Sequence, residues 1–204
     1  MKIICIGRNY SEHASELNNP VPTEPVFFLK PDTAFLRNNQ PFFMPDFSND
    51  VHYEVELVYR ISRVGRNISE RYAHRYISGI GVGIDFTARD IQNRCKKLGL
   101  PWEIAKSFDG SAPVSNTFIN VEDFDDLNQI SFHLEKNGVL VQKGVSGDMI
   151  FSIDKIIAYV SKFITLKIGD LIFTGTPTGV GSIAIGDILT AYINNELLLK
   201  TKVC

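Results

Sequence analysis

Apolar and polar positions along this chain recur with two different periods, and the two-residue period of strands dominates. Ile130–Leu134 alternates apolar with polar residues, Asn137-Gly138 follows, and Val139–Val141 resumes the apolar pattern. Asn-Gly supplies the positive φ angles of a type I′ turn, so this stretch predicts a β-hairpin. Val26–Leu29 and Tyr53–Ser62 are rich in β-branched and aromatic residues and predict strands. Two Ile-Gly-Asp turns, Ile168–Asp170 and Ile185–Asp187, introduce two more, Leu171–Thr174 and Ile188–Ile193. Helical spacing is rarer. Ile153, Ile156, Ile157, Val160 and Ile164 should line one buried helix face. A second helix is expected from Thr87, with Thr87 and Asp90 as a capping-box-like pair. Lys96 and Lys97 crowd its last turn, and Gly99 with Pro101 stops it. Ser11–Leu17 is a short polar, helix-compatible piece. Pro20, Pro22, Pro25, Pro31, Pro41 and Pro45 after it favour extended segments and turns. The class predicted is α+β, dominated by β.

The 204 residues suffice to bury a core without staples, and one domain over 1–204 is expected. Lys and Arg number 21 against 23 Asp and Glu, a net charge of −2 that argues against a nucleic-acid binder. No run approaches the ~18 apolar residues of a membrane span, and Ile3–Ile6 is too short for a signal-peptide core. The three cysteines, Cys5, Cys95 and Cys204, are odd in number and form no CxxC. Neither a disulfide framework nor a zinc knuckle is indicated, and a reducing cytoplasm fits best.

Candidate chemistry begins at Tyr53-Glu54-Val55-Glu56-Leu57. On a strand Glu54 and Glu56 share one face while Tyr53, Val55 and Leu57 point to the core. Taken alone, the pair reads more readily as a solvated outer face. The sharper reading is a cation site, because a hard divalent ion removes the repulsion between two neighbouring carboxylates. Gly79, Gly81 and Gly83 lack the spacing of a dinucleotide-binding loop and run into a strand that ends at Asp85. Asp85, a helix start, and Arg89 with Gln92 on one helix face together suggest a site for a metal and a small carboxylate. His13 and Glu16, three apart, can pair as a base and its orienting partner, although a surface pair is the commoner case. His52 shares the face of Glu54 and can stand behind it, although a strand-entry surface residue is the commoner case; His74 lies in a polar helical stretch and His133 on the polar face of the hairpin strand. Lys30 and Lys106 lie in apolar surroundings, where snorkelling to water is the default. The Thr174–Gly181 turn lacks the GK[ST] of a phosphate loop but can offer backbone N–H groups and a hydroxyl to a carboxylate.

The order of these features is more telling than any one of them. Gly7-Arg8-Asn9-Tyr10, His13 with Glu16, Phe28-Leu29-Lys30-Pro31, Glu54-Val55-Glu56, Gly83-Ile84-Asp85, Thr87-Ala88-Arg89-Asp90, Gly99-Leu100-Pro101-Trp102, Lys106-Ser107-Phe108-Asp109 and Thr174-Gly175-Thr176-Pro177 follow one another along nearly the whole chain. The series resembles the fumarylacetoacetate hydrolase family, in particular its short acylpyruvase and fumarylpyruvate hydrolase-like branch, which includes oxaloacetate decarboxylases. The resemblance implies a mixed β-roll, a homodimer, and Mg²⁺ or Mn²⁺ held by Glu54, Glu56 and Asp85. It implies a lid within residues 10–50 that carries the His13–Glu16 dyad, with Lys106 as the third catalytic residue. Arg8, Lys30, Arg89, Gln92 and Thr176 would bind a small 2-oxo or 2,4-dioxo acid. The expected reaction is hydrolysis of an acylpyruvate C–C bond, releasing pyruvate through an enolate that the ion and Lys106 stabilise. Oxaloacetate decarboxylation and isomerisation or tautomerisation of 2-oxo diacids are the alternatives. Outside catalysis, the rival is a β-rich ligand-binding module.

Overall fold

The computed structural model describes residues 1–11 and 21–204. The strands, in chain order, are β1 (Ile3–Gly7), β2 (Val26–Lys30), β3 (Phe35–Leu36), β4 (Val51–Tyr53), β5 (Val55–Ile61), β6 (Ile77–Ile84), β7 (Thr87–Ala88) and β8 (Ala112–Pro113). They continue as β9 (Ile119–Asn120), β10 (Ser131–Lys136), β11 (Val139–Val145), β12 (Leu171–Phe173), β13 (Gly181–Ser182), β14 (Ile188–Ile193) and β15 (Glu196–Lys202). The α-helices described are α1 (Arg89–Leu98), α2 (Glu103–Lys106) and α3 (Ile153–Phe163). The fold is a β-dominated α+β mixed β-roll, as expected.

The main sheet runs β2-β1-β12-β5-β6-β9. Within it β1 and β12 pair in parallel, Ile3 opposite Leu171, and every other neighbour is antiparallel. Both faces of this sheet are covered. Ile4, Ile6, Leu57 and Tyr59 enter the main core, while Ile3, Cys5, Val58 and Phe173 enter a second cluster with Ala34, Ala112 and Val114. Such two-sided burial is why β1 and β12 read as unbroken apolar runs. The second sheet, β11-β10-β14-β15, is antiparallel throughout. Its β10–β11 turn has Asn137 at φ 55° and Gly138 at φ 79°, the predicted Asn-Gly hairpin.

Helix α3 buries Ile153, Ile156, Ile157 and Val160, and the Ser152 side chain caps it by accepting from Lys155 N. The expected start of the other helix is corrected. Thr87 belongs to β7, Ala88 is the N-cap without a side-chain cap, and α1 begins at Arg89. Thr87 Oγ1 donates to the Asp85 carbonyl instead, and Asp90 accepts from Ser48 Oγ at 2.7 Å. A local carbonyl thus took Thr87, and a hydroxyl 42 residues away took Asp90, from the expected capping box. The C-terminal stop is as predicted: Gly99 has φ 65°, and Leu100 N bonds to the Cys95 carbonyl. The Tyr53–Ser62 strand is also corrected, since it breaks at Glu54 into β4 and β5, which enter different sheets. The Ser11–Leu17 segment lies outside the described residues from position 12 on.

Candidate metal centre and active site

The break between β4 and β5 puts Glu54 at a corner, with Glu56 two residues into β5. Asp85 follows the last residue of β6, the antiparallel partner of β5, and its N–H bonds to the Glu54 carbonyl. That pairing brings three carboxylates together: Glu54, Glu56 and Asp85 each present an oxygen within 4.8 Å of the others. All three are buried, at 5%, 1% and 1% exposure, so the solvated-face reading of the glutamates is excluded. Side chains packed over β6, from Phe118, Ser115 and Phe173, explain its glycines. A Cβ on Gly83 would lie 2.6 Å from the Phe173 ring.

Three buried cations answer the three acids. Lys106, on the last turn of α2, places Nζ 2.8 Å from Glu54 Oε2 and 2.7 Å from Asp85 Oδ2. Arg89 pairs with Glu54 Oε1 and donates to Gln92 Oε1 at 2.6 Å. Lys30 Nζ lies 2.8 Å from Asp85 Oδ1 and also reaches Ser111 Oγ and the Lys106 carbonyl. Neither lysine snorkels: Lys30 is 1% exposed and Lys106 3%. Burial alone would lower the Lys106 pKa, but the Asp85 and Glu54 carboxylates outweigh it and raise it. Glu56 accepts from the Gly175 N–H at 2.6 Å, and among the described residues it forms no ion pair. Burial, then the Asp85 and Glu54 charges, push its pKa well above the usual carboxylate range.

This donor set fits a hard divalent ion. It offers only oxygens, Asp85 Oδ1 accepts no hydrogen bond among the described residues despite its ammonium neighbour, and the buried Glu56 carboxyl forms no ion pair there. The surrounding cavity is lined by Arg8, Phe28, Arg89, Gln92, Lys96, Trp102, Lys106 and Thr176 together with the three acids. Of the positions singled out from the sequence, Arg8, Arg89, Gln92, Thr176 and Lys106 therefore converge on the acids, and Lys30 stands behind Asp85.

The family model described as fumarylacetoacetate (FAA) hydrolase C-terminal matches residues 2–203. The chain belongs to that family. Among fumarylacetoacetate hydrolase relatives, it is 46% identical to the mitochondrial oxaloacetate tautomerase FAHD1 of Rattus norvegicus over 98% of this chain and 90% of that protein. It is 42% identical to the mitochondrial oxaloacetate decarboxylase of Dictyostelium discoideum, over 94% of this chain and 88% of that one. Its structure superposes with TM-score 0.93 on the fumarylpyruvate hydrolase of Pseudomonas aeruginosa in complex with Mn²⁺ and pyruvate, at 34% identity, covering 100% of this chain and 89% of that one.

Some expectations fall elsewhere. His13 and Glu16 lie outside the described residues. His52 is half-buried rather than a surface residue, its Nε2 2.9 Å from Asp50 Oδ1. His74 sits on a short 3₁₀ segment, and His133 stacks on Tyr192 far from the acids in sequence and sheet. Sequence reasoning missed Gln142 and Asn9. Gln142 accepts from Val55 N at 2.9 Å and donates to Thr176 Oγ1 at 2.9 Å, tying the glutamate corner to the Thr-Gly turn. Asn9 bonds to the Thr174 and Phe151 carbonyls and to Phe151 N. Gln142 is buried on a hairpin strand between half-buried Val141 and exposed Lys143, so no sequence signal marked it. No helix among the described residues is long and apolar enough to cross a membrane.

Proposed function

We propose that this protein converts a small 2-oxo dicarboxylic acid through its enolate, foremost as an oxaloacetate keto–enol tautomerase. The observation that carries this reading is the charge balance. Three buried acids are matched by the three buried cations Lys30, Arg89 and Lys106. Arg8 and Lys96 line the same cavity, so with a divalent ion among the acids the site would be net positive, which suits a dianionic 2-oxo diacid. Glu54, Glu56 and Asp85 would hold Mg²⁺ or Mn²⁺, which would supply Lewis-acid polarisation of the substrate. Arg89, Gln92 and Thr176 orient the substrate carboxylate, and Lys106 stabilises the charge that develops on the enolate oxygen. His13, oriented by Glu16, moves the proton between the substrate C3 and the bulk. The names of the rat and Dictyostelium relatives support oxaloacetate as substrate, and the Mn²⁺ of the Pseudomonas structure supports the ion.

A second reading is hydrolysis of an acylpyruvate C–C bond, favoured by the fumarylpyruvate hydrolase likeness. There His13 activates a water, and His13→Ala lowers cleavage by roughly 10²–10⁴-fold. One panel separates the reactions. Enol decay of oxaloacetate is followed by absorbance, and pyruvate release is followed with lactate dehydrogenase, each with Mg²⁺ or Mn²⁺. Acetylpyruvate and fumarylpyruvate are run alongside. Accelerated enol–keto exchange without pyruvate supports tautomerisation. Pyruvate formed in step with substrate loss replaces it with decarboxylation or hydrolysis. We place the enzyme in the cytoplasm as a homodimer. Its three free cysteines suit a reducing compartment, and the homodimer rests on family resemblance.

A further inference from the structure

Two cations in the cavity remain after the acids have been matched. Arg8 follows β1 and holds φ 60°, a left-handed conformation costly for a residue with a side chain. Lys96 lies on α1 at the helical spacing that puts it beside Arg89 and Gln92, on the face turned to the cavity. Both approach one ring: the Arg8 guanidinium carbon is 6.0 Å and Lys96 Nζ 5.8 Å from the Trp102 centroid. Among the described residues neither has a carboxylate partner, in contrast to Lys30, Arg89 and Lys106. Half-burial and then the Arg89 and Arg8 charges hold the Lys96 pKa below its usual value. The repulsion from Arg89 and Arg8 outweighs the attraction of Glu54 for Lys96, and a bound anion relieves it.

We propose that Arg8 and Lys96, carried on the Trp102 ring, form a second anion pole that binds the distal carboxylate of the substrate and selects dicarboxylic over monocarboxylic 2-oxo acids. The inference rests on the 2-oxo diacid reading above and assigns that reading its specificity determinant. The 2-oxo acid end lies at the carboxylate cluster with Arg89 and Gln92. The far end reaches the Trp102 side of the cavity, where an arginine and a lysine meet it. A ligand without a distal carboxylate gains nothing there.

The test uses Mn²⁺-loaded protein and its Lys96→Met, Lys96→Arg and Arg8→Gln variants, titrated with oxaloacetate and with oxalate, which chelates without a distal carboxylate. Lys96→Met is expected to weaken oxaloacetate binding about tenfold, the scale of one lost charge-assisted hydrogen bond. Oxalate affinity and Mn²⁺ affinity should stay within about twofold of wild type, and Lys96→Arg should restore most of the loss. In turnover the loss should fall on KM rather than kcat, as for uniform binding. Equal weakening of oxalate and oxaloacetate, or no change in either, overturns the pole. A wild type that prefers oxaloacetate yet catalyses nothing on it overturns the reaction and leaves the pole standing.

Discussion

Lys106→Met removes one positive charge from between two buried carboxylates while keeping the length of the side chain. The ammonium lies 2.8 Å from Glu54 Oε2 and 2.7 Å from Asp85 Oδ2, and the residue is 3% exposed. Water cannot replace it at that depth, so both carboxylates lose a charge-assisted partner. Breaking a buried pair by deleting one member costs about 3–5 kcal/mol. For a chain of this size each kcal/mol moves Tm by roughly 2–4 °C, so the metal-free variant should melt about 6–20 °C below wild type. A divalent cation restores positive charge between the same oxygens. At a hundredfold excess over Kd it returns about 2.7 kcal/mol, nearly all of the smaller estimate of the loss and about half of the larger. The gain on adding Mn²⁺ should be larger in the variant than in wild type, because no ammonium repels the ion. Thermal unfolding followed by circular dichroism, in EDTA and across a Mn²⁺ titration, reads both effects. A variant melting within about 2 °C of wild type in EDTA, or an equal Mn²⁺ response in the two proteins, would refute the charge accounting.

Glu56→Gln should raise Tm in EDTA at neutral pH, since burial and its acidic neighbours make the ionised carboxylate unfavourable, and it should abolish the Mn²⁺ response; a lower Tm with Mn²⁺ binding intact contradicts both. Gly175 has φ 100°, and a Cβ there would lie 2.8 Å from Asn9 Cβ. Gly175→Ala should therefore destabilise by about 1–3 kcal/mol and weaken Mn²⁺ binding by displacing the N–H that holds Glu56, both measurable in the same melts. Asp187 accepts from Ala184 N at 2.9 Å and Asn137 Nδ2 at 2.7 Å. Slight burial raises its pKa, but those hydrogen bonds and Lys136 outweigh it and bring it below the usual value. Its stabilisation is present above the unfolded-state pKa near 4 and is lost as pH falls through the lower folded value. Urea denaturation should then show a shallower loss of stability below about pH 4 in Asp187→Asn than in wild type, and parallel acid limbs would exclude the role.

Local chemistry determined what could be read from the chain alone. Asn137-Gly138 turns the hairpin because its two residues accept positive φ, and Gly99 ends α1 for the same reason. Ile153, Ile156, Ile157 and Val160 mark α3 because one helix face meets the core. Arg89 and Gln92 meet across one helical turn, as their spacing requires. The linear order of the short motifs carried the family. Burial, by contrast, is a property of what packs around a residue. Glu54-Val55-Glu56 alternates like a half-exposed strand, yet the break at Glu54 and the antiparallel β6 enclose both acids with Asp85, 31 residues after Glu54 in sequence numbering. Lys30 and Lys106 turn inward rather than to water because those acids lie within reach of their ammonium groups. Thr87 lost its cap role to the Asp85 carbonyl, and Gln142 gained a structural one from Val55 and Thr176. Except for Thr87, whose acceptor is two residues away, each of these outcomes depends on partners distant along the chain, and only the folded sheets bring those partners within hydrogen-bonding distance.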